Sequence, residues 1–267
     1  MTEDDEPRTI VVEAYGARLG VSAPDQDILE RVLEGLPEGW EPASADGDEA
    51  ELRWRFAVMR DDSGEYRVRD GNGIETDCGE DLELAIGLLR LHLRRYVGYH
   101  ALDLVFVHAG VVAVNGHAIV IPGHSFSGKS TLVAELVRQG AAYYSDEYAV
   151  FGEDGLVRPY REPIAMRTPT GLRGERLTVE QLGGTAGEEH IPVGVVALTT
   201  YQPGAQWDPR KLSAAQGLLA LLEHAVAVRD RPQQTLAVLR RALDQAEVLS
   251  GERGESDAAA RSLIERG

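Results

Sequence analysis

Lysine, cysteine and positive charge are all scarce in this sequence of 267 residues. Lysine occurs only at Lys129 and Lys211, although Lys+Arg total 27, so arginine carries almost all of the positive charge. The single cysteine, Cys78, excludes an internal disulfide and favours a reducing compartment. The net charge of -17 repels phosphodiester backbones and anionic lipid headgroups. We therefore expect neither nucleic acid nor a membrane surface as a partner.

A long uninterrupted apolar run is also missing. The most apolar stretch, residues 104–122, contains His108, an Asn-Gly pair and His117, so it predicts strands rather than a membrane span. The amino terminus reads MTEDDEP, which is acidic where a signal peptide is basic and then apolar. These features predict a cytoplasmic protein.

The pattern of apolar residues predicts two domains, residues 1–97 and 98–267. In the first, loose alternation over residues 8–21 and again over 51–74 indicates strands, and helical spacing from Ile28 to Leu36 indicates a helix. A long helix with a broad apolar face lies within residues 81–102. The first domain is therefore predicted to be a small α+β unit.

The second domain begins with two β-branched runs joined by Asn115-Gly116, the strongest short-range signal for a β-hairpin. The second run leads into GHSFSGKS and then into TLVAELVRQGA, an amphipathic segment closed by Gly140. A strand, a glycine-rich loop and a helix follow one another here, as a phosphate-binding loop requires. Later, IPVGVVALTTY predicts a buried strand, and LSAAQGLLALLEHAVAV and PQQTLAVLRRALDQAEVL predict helices.

The loop matches the pattern G-x-x-x-x-G-K-[ST], in which backbone N–H groups and a helix N-terminus hold phosphate. Lys129 can reach the β- and γ-phosphates, and Ser130 can place its hydroxyl on Mg²⁺. A planar guanidinium would be too broad for this position, which explains a lysine in an arginine-rich chain. The predicted nucleotide-binding residues are Gly123, His124, Ser125, Phe126, Ser127, Gly128, Lys129, Ser130 and Thr131.

Two acidic residues and one histidine are candidates for the chemistry of the site. Asp146 and Glu147 follow the next expected strand, where two carboxylates can divide metal binding and proton transfer between them. The alternative interpretation is a solvated acidic turn. His108 lies in the first strand of the hairpin, where a histidine is more often a hydrogen-bonded core residue than a catalyst.

One stretch of the second domain resembles the core of the HPr kinase/phosphorylase family; it reads VHAGVVAVNGHAIVIPGHSFSGKSTLVAELVRQGAAYYSDE. The chain resembles in particular the shorter members of that family, some of which phosphorylate a serine of a ribosomal peptide in lasso-peptide clusters. The resemblance implies an α/β fold with a P-loop kinase core, in which a β-hairpin of a mixed sheet leads into the loop and helices flank the sheet. It implies that Asp146 takes the proton from an acceptor serine, with His108 as its neighbour. Glu147 stands where the family has a second aspartate, so Ser130 and Glu147 are the expected Mg²⁺ ligands.

The expected activity is therefore phosphoryl transfer from ATP·Mg²⁺ to a serine of a peptide or small protein, such as a ribosomal precursor peptide. GTP and pyrophosphate are alternative donors. A regulatory nucleotide-binding or NTPase module without a phosphoacceptor, and a small-molecule kinase, are the alternative functions. Arg158, Arg161 and Arg167 are candidates for neutralising charge on the transferred group, and solvated arginines are the alternative interpretation. The family resemblance also implies a homo-oligomer.

Overall fold

A computed structural model describes residues 7–43, 54–124, 127–166 and 176–267. Over these ranges the protein is α/β, with mixed sheets and six helices. The chain divides into two compact units, Met1–Leu102 and Asp103–Gly267. None of the helices in the described ranges is long and apolar enough to cross a membrane.

The first unit is a six-stranded sheet with helices on one face. Its sheet order is β3-β1-β2-β4-β5-β6, and only the β2–β4 pair is parallel. Alternation along the strands buries side chains such as Val12, Leu19 and Val58 beneath the helices. The elements are β1 (Arg8–Ala14), β2 (Ala17–Ala23), α1 (Gln26–Leu33), β3 (Trp40–Ala43), β4 (Arg55–Arg60), β5 (Tyr66–Arg69), β6 (Glu75–Gly79) and α2 (Leu82–His100).

The second unit is built on an eight-stranded mixed sheet in the order β11-β10-β7-β8-β14-β16-β15, with β9 also paired to β7. Two further short strands, β12 and β13, pair with each other. The elements are β7 (Leu104–Val114), β8 (His117–Pro122), α3 (Lys129–Arg138), β9 (Ala142–Ser145), β10 (Tyr148–Gly152), β11 (Val157–Arg158), β12 (Ile164–Ala165), β13 (Arg176–Leu177), β14 (Val193–Tyr201), β15 (Arg210–Leu212), α4 (Ala214–Glu223), α5 (Pro232–Ala242), β16 (Glu247–Arg253) and α6 (Ser256–Ile264).

Strands β7 and β8 form the predicted hairpin. Asn115 and Gly116 have φ angles of 50° and 80°, the positive values that a two-residue hairpin turn of type I′ requires. Strand β7 places Val107, Ala109 and Val111 in the apolar cluster that includes side chains of α4 and α5. Because neighbouring strand residues point to opposite faces, His108 lies on the other face, which is covered by α3 and α6.

Strands β8, β14 and β16 run parallel, so their carboxyl ends meet at one edge of the sheet. Strand β8 continues at this edge into the glycine-rich loop. Strands β14 and β16 end there at Tyr201 and Arg253, which face each other in register. Ligands of α/β sheets bind at this edge, which makes it the place to look for a site.

The region 213–253 differs from the sequence prediction. Helix α4 ends at Glu223, and Ala225 then forms an isolated antiparallel bridge with Val107 of β7, where the nitrogen of His108 donates to the oxygen of His224 at 2.8 Å. Helix α5 ends at Ala242, and the predicted helical residues after it lead into strand β16. Both helices were predicted to continue past their actual carboxyl ends. The residues that follow them form hydrogen bonds with strands distant in the sequence, and local periodicity does not reveal such partners.

Candidate functional site

The glycine loop, defined here as residues 123–130, joins β8 to α3. Gly128 has a φ angle of +83°, a left-handed conformation that favours glycine, and α3 begins at the next residue. A Cβ atom at Gly123 would lie 2.8 Å from the Oγ of Ser127 and 3.6 Å from the Cδ of Lys129, so glycine lets the loop curl back on itself. Ser125 and Phe126 lie outside the described residues.

Lys129 is buried inside the curl of the loop, with 6% of its surface exposed. Its Nζ lies 3.5 Å from the Nε2 of His108 and 3.4 Å from the carbonyl oxygen of His124. A lysine can only donate, so Nε2 of His108 acts as the acceptor in this contact. The loop thus holds an ammonium group at its centre, next to the histidine that the sequence analysis selected.

Asp146 and Glu147 occupy the tight turn between β9 and β10. The Oγ of Ser145 accepts hydrogen bonds from the backbone nitrogens of Glu147 and Tyr148 at 3.2 and 3.0 Å, which fixes the turn. Asp146 points inward and is 5% exposed, whereas the side chain of Glu147 is 30% exposed. Adjacent carboxylates therefore have different environments, one buried and one open to solvent.

The carboxyl group of Asp146 lies between the first turn of α3 and the acidic residues around it. Its pKa is raised to about 7, chiefly by burial, and the charges of Glu147 and Glu162 act in the same direction. A hydrogen bond from Ser130 and the charge of Lys129 act in the opposite direction and lower the pKa. The acidic residue and the loop serine predicted from the sequence are thus in direct contact.

His108 lies where β7 changes its neighbour. Strand β8 leaves β7 at Gly123, whose nitrogen still donates to the oxygen of His108 at 3.4 Å. Beyond this point residues 224–226 replace β8 along β7. The side chain of His108 therefore lies at a fork in the sheet, with its Nε2 at 3.7 Å from Oε1 of Glu147.

His108 is a neutral base near neutral pH. Its pKa is lowered to about 4, chiefly by burial and also by the nearby charge of Lys129, while Glu147 acts in the opposite direction. The contacts of its Nε2 are with Lys129 and Glu147, so the structure pairs the histidine with the second acidic residue. Asp146, the partner that the family resemblance implies, contacts Ser130 instead.

Two further histidines lie at the site, His124 within the loop and His224 just after α4. The rings of His124 and His224 are 4.6 Å apart, edge to face. Burial is the largest cause of a lowered pKa of His224, and His124 and Lys129 lower it as well. The sequence analysis missed His224 because the periodicity assigns it to a longer α4.

Arg253, at the end of β16, is the second residue that the sequence analysis missed. It is 2% exposed, and its Nη2 donates to the carbonyl oxygen of Gly128 at 2.8 Å. Its Nη1 donates to the oxygen of Gly254 and to the Oγ of Ser256, both at 3.2 Å. The guanidinium therefore braces the loop from β16, which β14 separates from β8 in the sheet. An arginine after a polar stretch gives no local signal of this burial.

The other predicted arginines lie elsewhere. Arg161 is 3.8 Å from a carboxylate oxygen of Glu188, and Arg158 lies against Gly152 on β10. Arg167 lies outside the described residues. Trp207 packs against the apolar cluster under α3 and α6, close to Gly251.

Besides the Nε of Arg253, two polar atoms of the site are buried without a hydrogen-bond partner among the residues that the structure describes. They are the Oγ of Ser127, in the loop, and the Oδ1 of Asp146, opposite it. A hydroxyl that can donate to phosphate and a carboxylate oxygen that can face a cation fit a nucleotide with Mg²⁺. Within the described ranges, no three His, Cys, Asp or Glu side chains cluster as a metal site. Mg²⁺ in nucleotide sites commonly uses one or two protein carboxylates together with phosphate oxygens, so this donor set is compatible with it.

No protein-family model matches the chain, and no curated protein matches it. Its function is therefore inferred from the residues of the site.

Proposed function

We propose that the second unit is a P-loop kinase core that transfers the γ-phosphoryl group of ATP to the hydroxyl of a serine in a peptide or small protein. The observation that carries this proposal is the position of Asp146. Its carboxyl group is buried against Ser130 and Lys129, at the start of α3, with a pKa of about 7. A donor site and a proton acceptor are thereby combined in one place.

The donor side consists of the glycine loop and Lys129. Backbone N–H groups at the start of α3 and the buried ammonium group favour the negative charge of the β- and γ-phosphates. The hydroxyl of Ser127, which has no partner in the described part of the chain, is a further donor to phosphate. Ser130 and Glu147 would hold Mg²⁺, which supplies charge neutralisation on the phosphate oxygens when bound.

On the acceptor side, Asp146 accepts the proton of the serine hydroxyl as the serine Oγ forms its bond to the γ-phosphorus. The bond from that phosphorus to the bridging oxygen of ADP breaks, and ADP leaves with the electron pair. A carboxyl pKa of about 7 leaves a large share of Asp146 ionised at neutral pH and keeps it basic enough to take a proton. Positioning and charge neutralisation provide most of the rate enhancement in such reactions.

The contact between Glu147 and His108 supports a second assignment of roles. In it, Glu147 accepts the serine proton with His108 beside it, and Asp146 stays on the metal side with Ser130. The more exposed position of Glu147 favours access of an acceptor, and its Oε1 lies 3.7 Å from Nε2 of His108. The two assignments share one activity and differ in which carboxylate takes the proton.

The activity is tested with the full-length protein, ATP, Mg²⁺ and synthetic peptides carrying one serine, either close to the carboxyl end or internal. Phosphopeptide is measured by mass spectrometry, and ADP is measured separately. Asp146→Asn and Glu147→Gln keep the size of each side chain while removing its charge. Lys129→Ala is the control that removes the donor site.

If Asp146 takes the proton, Asp146→Asn abolishes transfer but still binds ATP, while Glu147→Gln raises the Mg²⁺ concentration needed for activity. The second assignment reverses these two results. ADP formation without phosphopeptide would favour the regulatory NTPase module, and phosphorylation of small alcohols alone would favour a small-molecule kinase. Equal transfer by the wild type and Lys129→Ala would refute the proposed function.

A further inference from the structure

The edge where the parallel strands end extends beyond the glycine loop. Strand β8 leads into the loop, and the next two parallel strands end at Tyr201 and Arg253. These two residues are opposite each other in the β14–β16 register. They lie on the side of β8 that faces away from β7 and therefore away from the acidic turn. The glycine loop lies between these two sides.

Arg253 connects this outer edge to the loop. One of its nitrogens donates to the carbonyl oxygen of Gly128, and its Cζ lies over the ring of Tyr201, at 5.7 Å from the centroid. The guanidinium is buried, so both contacts have a fixed geometry. Tyr201 is therefore held beside the loop by an arginine that also contacts the loop.

Tyr201 is exposed, in contrast to the centre of its strand. It is 46% exposed, although it stands at the end of a strand whose central residues are buried. Its hydroxyl lies 3.4 Å from a carboxylate oxygen of Glu255. The ring of Tyr201 is therefore held at its edge by Glu255 and on one face by the guanidinium of Arg253. Nearly half of the surface of the residue remains open to solvent.

We propose that Tyr201 is the platform on which the base of the nucleotide stacks, held next to the glycine loop by Arg253. Every nucleobase has a flat π-face, and stacking on an exposed aromatic ring is a common way to bind one. The carboxylate of Glu255 at the edge of the ring repels phosphate and can accept a hydrogen bond from an amino group of a base. The polarity of this edge therefore favours the base, and the positive loop favours the phosphates. This inference rests on the proposed function, because it assigns the nucleoside end of the same donor.

The experiment compares two ligands that share the phosphates but differ in the nucleoside, Mg²⁺-ATP and Mg²⁺-tripolyphosphate. Binding of each to the full-length protein is measured by calorimetry. Tyr201→Ala removes the ring, and Tyr201→Phe keeps it. Tyr99→Ala, which removes a tyrosine that is 37% exposed in the first unit, is the matched control.

We expect Tyr201→Ala to raise the Kd for ATP about tenfold, within the range measured for single stacked bases, and to leave the Kd for tripolyphosphate unchanged. Tyr201→Phe and Tyr99→Ala should bind both ligands as the wild type does. If Tyr201→Ala changes both Kd values equally, or neither, the platform is refuted while the proposed function stands. If the wild type binds neither ligand, the proposed function and this inference both fail.

Discussion

Replacing Gly128 by alanine tests the contact between the glycine loop and Arg253 at the end of β16. The substitution has two separate effects. Alanine has to adopt the φ angle of +83°, and its Cβ would lie 2.6 Å from Nη2 of Arg253. The second effect forces the guanidinium away from the carbonyl oxygen that it binds at 2.8 Å.

The expected size of each effect follows from its physical origin. The left-handed conformation costs a non-glycine residue about 1–2 kcal/mol. Loss of a hydrogen bond from a charged group costs about 1.5–3 kcal/mol more. Gly116→Ala is the control, since Gly116 has a φ angle of +80° and an alanine Cβ there would meet nothing within 4 Å. It should lower the free energy of unfolding by about 1–2 kcal/mol only.

The free energy of unfolding of the second unit is measured by urea denaturation. The chain has three tryptophans, and Trp207 is the one in the second unit. Replacing Trp40 and Trp54 by phenylalanine makes Trp207 the reporter for that unit. Gly128→Ala is then measured in the wild-type background and in an Arg253→Met background.

In the Arg253→Met background, Gly128→Ala should cost only the backbone strain of about 1–2 kcal/mol, because the clashing nitrogen is gone. The difference between the two backgrounds is the coupling energy of the contact. If Gly128→Ala costs the same as Gly116→Ala, or the same with and without Arg253, the guanidinium does not brace the loop.

Three further predictions concern charge and packing in the second unit. The pKa of Asp146 is raised to about 7, so its contribution to stability is present below pH 3.8 and is lost as the pH rises to 7. The pKa of His108 is lowered to about 4, so its contribution is present above pH 6.5 and is lost as the pH falls to 4. In metal-free urea denaturation, Asp146→Asn should therefore gain stability relative to the wild type as the pH rises from 4 to 6.5, and His108→Gln should lose stability relative to the wild type as the pH rises from 4 to 7. Gly110→Ala should lower the unfolding free energy by about 1–3 kcal/mol, because its Cβ would lie 2.5 Å from Cγ2 of Val133, and Val133→Ala should restore part of it in the double variant. Lys129→Arg should bind ATP about tenfold or more weakly by calorimetry, because a planar guanidinium does not fit where the ammonium group lies.

Each of these predictions has a contradicting result. Stability differences from the wild type that are flat with pH in both variants would show that neither group has the shifted pKa described above. If Val133→Ala does not restore any of the unfolding free energy that Gly110→Ala removes, the close contact between β7 and α3 is not the cause of the loss. If Lys129→Arg binds ATP as tightly as the wild type, the loop has room for a guanidinium group and the shape of the cation does not matter.

Local sequence signals predicted the elements around the loop correctly. The Asn115-Gly116 turn, the strand before the loop and the amphipathic helix after it are all encoded by neighbouring residues, and the structure has them at those positions. Strand β14 was also predicted, because a long β-branched run bounded by polar residues indicates a buried strand without any information from distant residues. The structure also brings His108, Lys129 and Asp146 to one site, although they are separated in the sequence.

The parts that the sequence did not predict depend on distant partners. Strand β16 is polar and interrupted by Gly251, and it becomes a strand because β14 and β15 hydrogen-bond to it on either side. Arg253 is buried for the same reason, since its environment is formed by the loop and by the start of α6. His224 acquires its place only because β8 leaves β7 and opens an edge for residues 224–226.

The fork at His108 has a consequence for how a substrate can enter. Strand β7 has partners on both edges from Phe106 to Ala113, first β10 and residues 224–226, and then β9 and β8. Strands enclosed in this way open only when the whole domain unfolds, so their amide protons exchange with solvent most slowly. The imidazole of His108 is thus attached to a strand whose amides we expect to exchange slowly, so the acceptor proposed above would be admitted by movement of the surrounding segments.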